Sequence, residues 1–262
     1  MRRGFTLLEL IFVIVILGVM SKFGVELLYK IYVSYVSSNT LNRVQGQSEL
    51  AVEQIANRLK YRIKDTTVAK VGNSSLQPIG NLGAGYTTIE WIGVDLDGWR
   101  GVGTPLWSGL IDLNNGATNN ASLVSPGSLG AGNGAVFFIG SDLDISSQAS
   151  WDASMIPVNS VAGAITGNFV GQDVFEFYQF ATTAYQVSLE NVGADGNGEL
   201  VLYSGYRPWA GETRANRQVL MEDVKTFNFG YSGDVLLIKV CVSDGDATGT
   251  GEYAICKEKV VF

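Results

Sequence analysis

The run Leu10–Met20, LIFVIVILGVM, is wholly apolar, and it continues back to Phe5 with only Thr6 and Glu9 interrupting it. Counted to Val25, with Ser21 and Lys22 admitted near its far end, the segment holds about 20 residues. At about 1.5 Å per residue that crosses a hydrocarbon core of about 30 Å. The sequence therefore predicts a membrane-crossing helix over residues 5–25. Arg2 and Arg3 precede it, which keeps that end cytoplasmic and sends the rest of the chain across the membrane. An ordinary secretory signal places a small-residue cleavage site of the A-x-A type after its apolar stretch, whereas GVMSKFG follows here.

Glu9 is the anomaly. A carboxylate in such a run costs on the order of 2.5–3.5 kcal/mol near the bilayer centre and less toward the interface. It calls for a cationic partner at the same depth. A cut after Gly4 would supply one, because the new α-amine of Phe5 would carry a positive charge on this helix or a neighbouring one. Pairing between neighbours would then set their axial register.

Gly4-Phe5-Thr6-Leu7-Leu8-Glu9-Leu10, after a short basic leader, resembles the processing site of type IV prepilins and type II secretion pseudopilins. The resemblance implies that residues 1–4 are a leader removed by a prepilin peptidase, that Phe5 is then N-methylated, and that Glu9 aligns the subunit against the Phe5 amine of another. It implies as partners the prepilin peptidase, other pilin or pseudopilin subunits and an inner-membrane assembly platform. The implied location is the bacterial inner membrane, single-pass with the head periplasmic, and then a type IV pilus or a type II secretion pseudopilus. Many major pilins carry a helix-breaking proline at the position of Glu26, but no proline precedes Pro78 in this chain. Gly18 and Gly24 remain as weak points in the helix or as sites of close helix packing.

Beyond the apolar run, Leu41, Val44, Val52, Ile55, Leu59 and Ile63 recur at helical spacing with polar residues between them. This predicts an amphipathic half of the same helix over residues 26–70. A continuous helix from Phe5 to about Lys64 would be roughly 90 Å long, more than one domain can cover. Tyr29, Tyr32 and Tyr35 suit a membrane interface or packing within an assembly equally well. Arg58, Lys60, Arg62 and Lys64 form a charge run near the helix end, where cations complement the dipole, and the run is expected to be a solvated face.

Charge divides the chain. Residues 1–70 hold ten Lys or Arg against five Asp or Glu, and residues 71–262 hold eight against twenty. The acidic portion has no basic stripe to neutralise phosphates, so no nucleic-acid partner is expected for it. The absence of histidine removes Ser-His-Asp and Cys-His catalysis and every imidazole-ligated zinc site, and no enzyme activity is expected.

Residues 71–262 are expected to be a β-rich periplasmic head. Thr87–Val94 and Ala135–Ile139 read as short strands among Gly-, Asn- and Ser-rich loops. Val174–Phe180, Tyr185–Leu189, Glu199–Tyr203, Val224–Tyr231, Val235–Val242 and Tyr253–Val261 read as an antiparallel meander. The fold class is therefore α+β: a long N-terminal helix packed against an antiparallel sheet, in the pilin manner. Leu220–Phe229, followed by a Tyr and a final strand pair, resembles the C-terminal part of J-like or W-like minor pilins. That resemblance and the size of the chain imply a minor subunit, and Glu9 implies one that sits below another.

Cys241 and Cys256 suit either one cross-strand bridge in an exported domain or two buried thiols. Asp195-Gly196-Asn197-Gly198-Glu199 offers oxygen donors at alternate positions, which makes Asp195, Asn197 and Glu199 the candidate calcium ligands; solvated turn residues are the alternative, and no other cofactor is expected. Trp91, Trp99 and Trp107 read as core or loop anchors. The rival to a structural role is a pilus-borne adhesin whose Gly-rich, Trp-containing loops over residues 91–151 contact a ligand.

Overall fold

The computed structural model describes residues 7–72, 74–80, 85–101, 106–233, 235–244 and 253–262. Helix α1 spans Leu7–Leu59 without a break. It passes straight through Glu26, whose Oε1 lies 3.0 Å from Lys30 Nζ one turn on. A Cβ placed at Gly18 or Gly24 would meet nothing within 4 Å, so neither glycine is demanded by packing within the chain. The chain divides into two compact units, one running through Gly46 and including Asp244 and Tyr253, the other made of Gln47–Ser243 and Ala254–Phe262.

In the second unit the helical stretch from Gln47 buries Ala51, Val52, Ile55, Ala56 and Leu59. Those positions recur at helical spacing, so one face of the helix packs inward on the sheet. Helix α1 ends at Leu59, short of the expected Lys64, because the backbone finds a new partner. Ile63 N donates to Ile92 O (2.9 Å), and Val94 N donates to Tyr61 O (2.9 Å).

Among the described residues ten strands form one sheet: β1 (Val68–Lys70), β2 (Gln77–Pro78), β3 (Thr88–Val94), β4 (Ser122–Phe138), β5 (Ile156–Gly167), β6 (Tyr178–Glu190), β7 (Gly198–Tyr206), β8 (Asn216–Ser232), β9 (Val235–Asp244) and β10 (Tyr253–Val261). Two short helices, α2 (Leu96–Trp99) and α3 (Gln148–Ala153), lie between strands. The spatial order is β10-β9-β8-β7-β6-β3-β1-β2, so β6 to β10 form the expected meander. Strand β6 is the branching point: it pairs with β3 from Ala181 to Ser188 and with β4 from Tyr178 to Ala181.

Two elements depart from the sequence reading. Val174–Phe180 and Tyr185–Leu189 are not separate strands, since β6 runs unbroken through the Ala-Thr-Thr-Ala between Phe180 and Tyr185. The loop-like stretch before Ala135 is strand too. Strand β4 pairs with β5 from Ser122 to Val136, and its register shifts between Val124 and Leu129 and again between Leu129 and Gly132. Pro126, Gly127, Gly130 and Gly132 supply those bulges, which mask the period-2 pattern.

Neighbouring residues of β4 serve opposite faces. Ala135 and Phe137 join a core with Ile63, Ile92 and Trp151, whereas Val136 and Phe138 join another with Trp107, Ile165 and Phe180. The sheet is thus buried on both sides at its centre.

The first of these cores closes over a buried charge. Glu90 on β3 is 1% exposed. Its Oε1 accepts from Tyr206 Oη (2.8 Å) and Arg214 Nη2 (2.6 Å). Its Oε2 has no hydrogen-bond donor but faces Lys70 Nζ at 3.6 Å, so that oxygen is balanced by charge. Lys70 Nζ donates in turn to Gln148 Oε1 (2.7 Å). Burial first, and then Glu90, raise the Tyr206 hydroxyl well above its ordinary value, which keeps it a donor. The network ties β1, β3, β7, α3 and the 214 loop together.

Removing one partner of a buried pair strands the other. Arg214→Met should therefore destabilise the head by on the order of 3 kcal/mol, read by urea denaturation of the detergent-solubilised chain. The double variant Glu90→Gln/Arg214→Met should recover part of that loss. Equal losses in the single and double variants would show that the pair itself is not the source.

Candidate functional site

Two places in the chain carry recognisable chemistry, and they belong to different units. The first is the N-terminal half of α1. Glu9 lies in its first turn, and the apolar side chains around it face outward, with Leu7 at 78% and Phe12 at 66% exposure. One described helix is long and apolar enough to cross a membrane, with a mean hydropathy of 2.2 over its most apolar window, none of it buried within the chain. Apolar surface on this scale needs lipid or other chains around it. Gly4 and Phe5, the expected processing residues, lie outside the described residues.

The second is a cleft of about 750 Å³ in the head, between the end of α1, helix α2, the Trp107–Leu110 segment and the start of β6. Its floor is Trp107 and Tyr178, which are buried, and its walls include Trp99, Ile139 and Phe177, which are exposed. Trp107 is held from several sides. Its Nε1 donates to Asp95 O (3.1 Å), and its ring lies 4.9 Å from Trp99 and 5.9 Å from Tyr178.

Asp95 caps α2, accepting Gly98 N at 3.2 Å. Burial raises its carboxyl above the usual carboxylate range, partly offset by the Gly98 N–H. Gly98 is required here because a Cβ would run into the Asp95 carboxyl and approach Trp107 Cδ1 to 2.9 Å. Gly109 has φ +74° and turns the backbone beneath the two indoles.

The basic run at the helix end divides in two. Lys60 and Lys64 are exposed, as expected of a solvated face. Arg62 is not: it is 4% exposed, and its Nη1 donates to Leu59 O (2.8 Å), the helix-end carbonyl that also accepts Arg62 N (3.2 Å). Its Nε and Nη2 have no acceptor. Of the four tryptophans in the expected adhesive region, Trp91, Trp107 and Trp151 are core residues, and only Trp99, at 43% exposure, offers its ring to solvent.

Cys241 on β9 and Cys256 on β10 are joined as a disulfide. Asp195 and Asn197 sit in the turn before β7 and Glu199 on β7, each with one side-chain oxygen engaged. Asp195 Oδ1 accepts Asn197 N (3.2 Å), Asn197 Oδ1 accepts Ser243 Oγ (3.1 Å), and Glu199 pairs with Arg217. Among the described residues no cluster of three Asp, Glu, His or Cys could hold a metal ion. The sequence reading missed the cleft because its parts come from residues 60–65, 94–99, 107–110, 139 and 177–179, which only the sheet brings together.

Residues 1–21 match the family model described as the prokaryotic N-terminal methylation motif. Neither the curated proteins nor the solved structures yielded a match to the chain.

The packing at Gly98 makes a direct prediction. Gly98→Ala forces either the Asp95 cap or the Trp107 ring to move, and overpacking of this kind costs about 1–3 kcal/mol. The variant should show a lowered thermal midpoint and a changed near-ultraviolet tryptophan signal. An unchanged near-ultraviolet spectrum would show that the ring cluster is not held as described.

Proposed function

We propose, from the premise that this chain carries the N-terminal motif of type IV pilins and pseudopilins, that it is a minor subunit of a type IV pilus or a type II secretion pseudopilus. The observation that carries the reading is the match over residues 1–21, continued by the exposed apolar half of α1. In this reading a prepilin peptidase cuts between Gly4 and Phe5 and methylates the new amine. Residues 5–25 span the inner membrane, residues 26–70 continue as the stalk, and residues 71–262 form the periplasmic head.

The role of Glu9 follows from electrostatics. In hydrocarbon its charge is tolerated when a cation lies at the same depth, and the Phe5 amine of a neighbouring subunit is such a cation. The pair forms only when two helices are in the right axial register, so the cost of a carboxylate in hydrocarbon becomes a means of alignment. The unbroken course of α1 through Glu26 supports a subunit whose helix stays rigid in this region. The partners are other pilin or pseudopilin subunits and an inner-membrane assembly platform. No catalytic step is assigned to the head. A second reading, ligand binding by the head, is favoured by the aromatic cleft beside Trp99.

Glu9→Ala should still be cleaved but should fall at least tenfold in the subunit composition of sheared filaments. Unchanged incorporation would remove Glu9 from assembly. Gly4→Val should leave full-length precursor on a gel, whereas normal processing of that variant would place the cut elsewhere.

A further inference from the structure

We propose that the head cleft beside Trp99 binds a sugar ring bearing a single carboxylate, of the kind that ends an acidic surface glycan; the inference rests on reading the head as a ligand-binding surface. Volume is the first support. A cleft of about 750 Å³ lies within the ordinary range of small-molecule sites.

Its shape is fixed in advance. Trp107 is locked by Asp95 O and by the rings of Trp99 and Tyr178, so the Trp99 face is presented on a rigid support. Trp99 at 43% and Phe177 at 56% exposure leave two flat apolar faces on the cleft wall. Such faces suit the C–H face of a pyranose ring or another flat ligand.

Charge narrows the choice. Lys60, Arg62 and Lys64 line the cleft against one carboxylate, Asp65. Among the described residues neither Lys60 nor Lys64 has a carboxylate partner, and the buried Arg62 guanidinium donates to Leu59 O at 2.8 Å and reaches Phe262 O at 3.5 Å. Lys60 Nζ and, outside the cleft lining, the Arg100 guanidinium each lie 5.6 Å from the centre of the Tyr61 ring. This is a local excess of positive charge that an anion would relieve.

The head around it is acidic, with twenty Asp or Glu against eight Lys or Arg over residues 71–262. It repels polyanions at a distance, which disfavours a nucleic-acid strand and favours a ligand with one charge. Polar groups complete the site. Among the described residues the Tyr61 hydroxyl and the Gln179 amide make no hydrogen bond with protein, and both residues line the cleft half-buried. They are suited to sugar hydroxyls, with the carboxylate at Lys60 and Lys64.

The test uses the full chain in detergent, by equilibrium dialysis against three probes: a trisaccharide with one terminal glucuronate, the same trisaccharide ending in glucose, and thymidine monophosphate. The glucuronate probe should saturate one site and bind at least tenfold more tightly than either of the others, with affinity falling as sodium chloride is added. Lys60→Gln/Lys64→Gln alters exposed residues, and should bring the acidic probe down to the level of the neutral one with an unchanged thermal midpoint. Trp99→Phe should weaken both sugars while keeping an aromatic wall. Equal binding of acidic and neutral sugars, or tighter binding of the nucleotide, would overturn the sugar-carboxylate assignment while leaving a ligand-binding head. Binding of none of the three would overturn both.

Discussion

The point on which the head depends is the place where α1 gives up its own hydrogen bonds. At the helix end, Ile63 N turns to Ile92 O and Tyr61 O receives Val94 N, so the chain leaves the helix already paired to β3. Main-chain groups at a helix terminus must find partners, and here a central strand supplies them. The exchange fixes where the helix ends and which residue faces which strand. It also places Tyr61 and Lys64 beside Leu96 and Trp99. Sheet register, helix termination and cleft therefore share one cause.

Burial of Arg62 follows from the same junction. A guanidinium at 4% exposure would ordinarily be costly. At a helix C-terminus the exposed carbonyls carry partial negative charge, and the donation to Leu59 O uses it. That compensation is incomplete, since Nε and Nη2 find no acceptor. The buried Glu90 solves the opposite problem more fully, with a phenol, an arginine and a lysine gathered around one carboxylate. Among its described residues the head thus contains a balanced buried charge, which knits strands together, and an under-balanced cation beside an open cleft.

How much of this was legible in the sequence depends on the range of the forces involved. The apolar run from Leu10, the amphipathic spacing from Val52 to Ile63 and the meander from β6 to β10 are local patterns, and each was readable. The termination at Leu59 was not, because it depends on β3, about thirty residues away. Strand β4 was hidden by Pro126 and the glycines of its bulges, which satisfy turn rules locally while the long pairing with β5 overrides them. Trp91 and Trp99 look alike in sequence. One lies on a strand with both faces covered, the other at the end of a four-residue helix, and that difference in placement decides which ring is exposed.

The division of charge along the chain acquires a different meaning in three dimensions. Counted by sequence, Lys60, Arg62 and Lys64 belong to the basic stalk. By contacts they belong to the head, in the same compact unit as the strands. An acidic head therefore contains one basic spot, set against apolar walls. A low-dielectric surface beside these cations concentrates their field locally, while the surrounding carboxylates weaken it at longer range. Such an arrangement discriminates by charge density: a single carboxylate reaching the cleft gains the local attraction, while a polyanion must also meet the repulsion of the rim. Selectivity of this kind comes from the position of one helix end in a sheet, and it requires no pattern that a linear sequence would display.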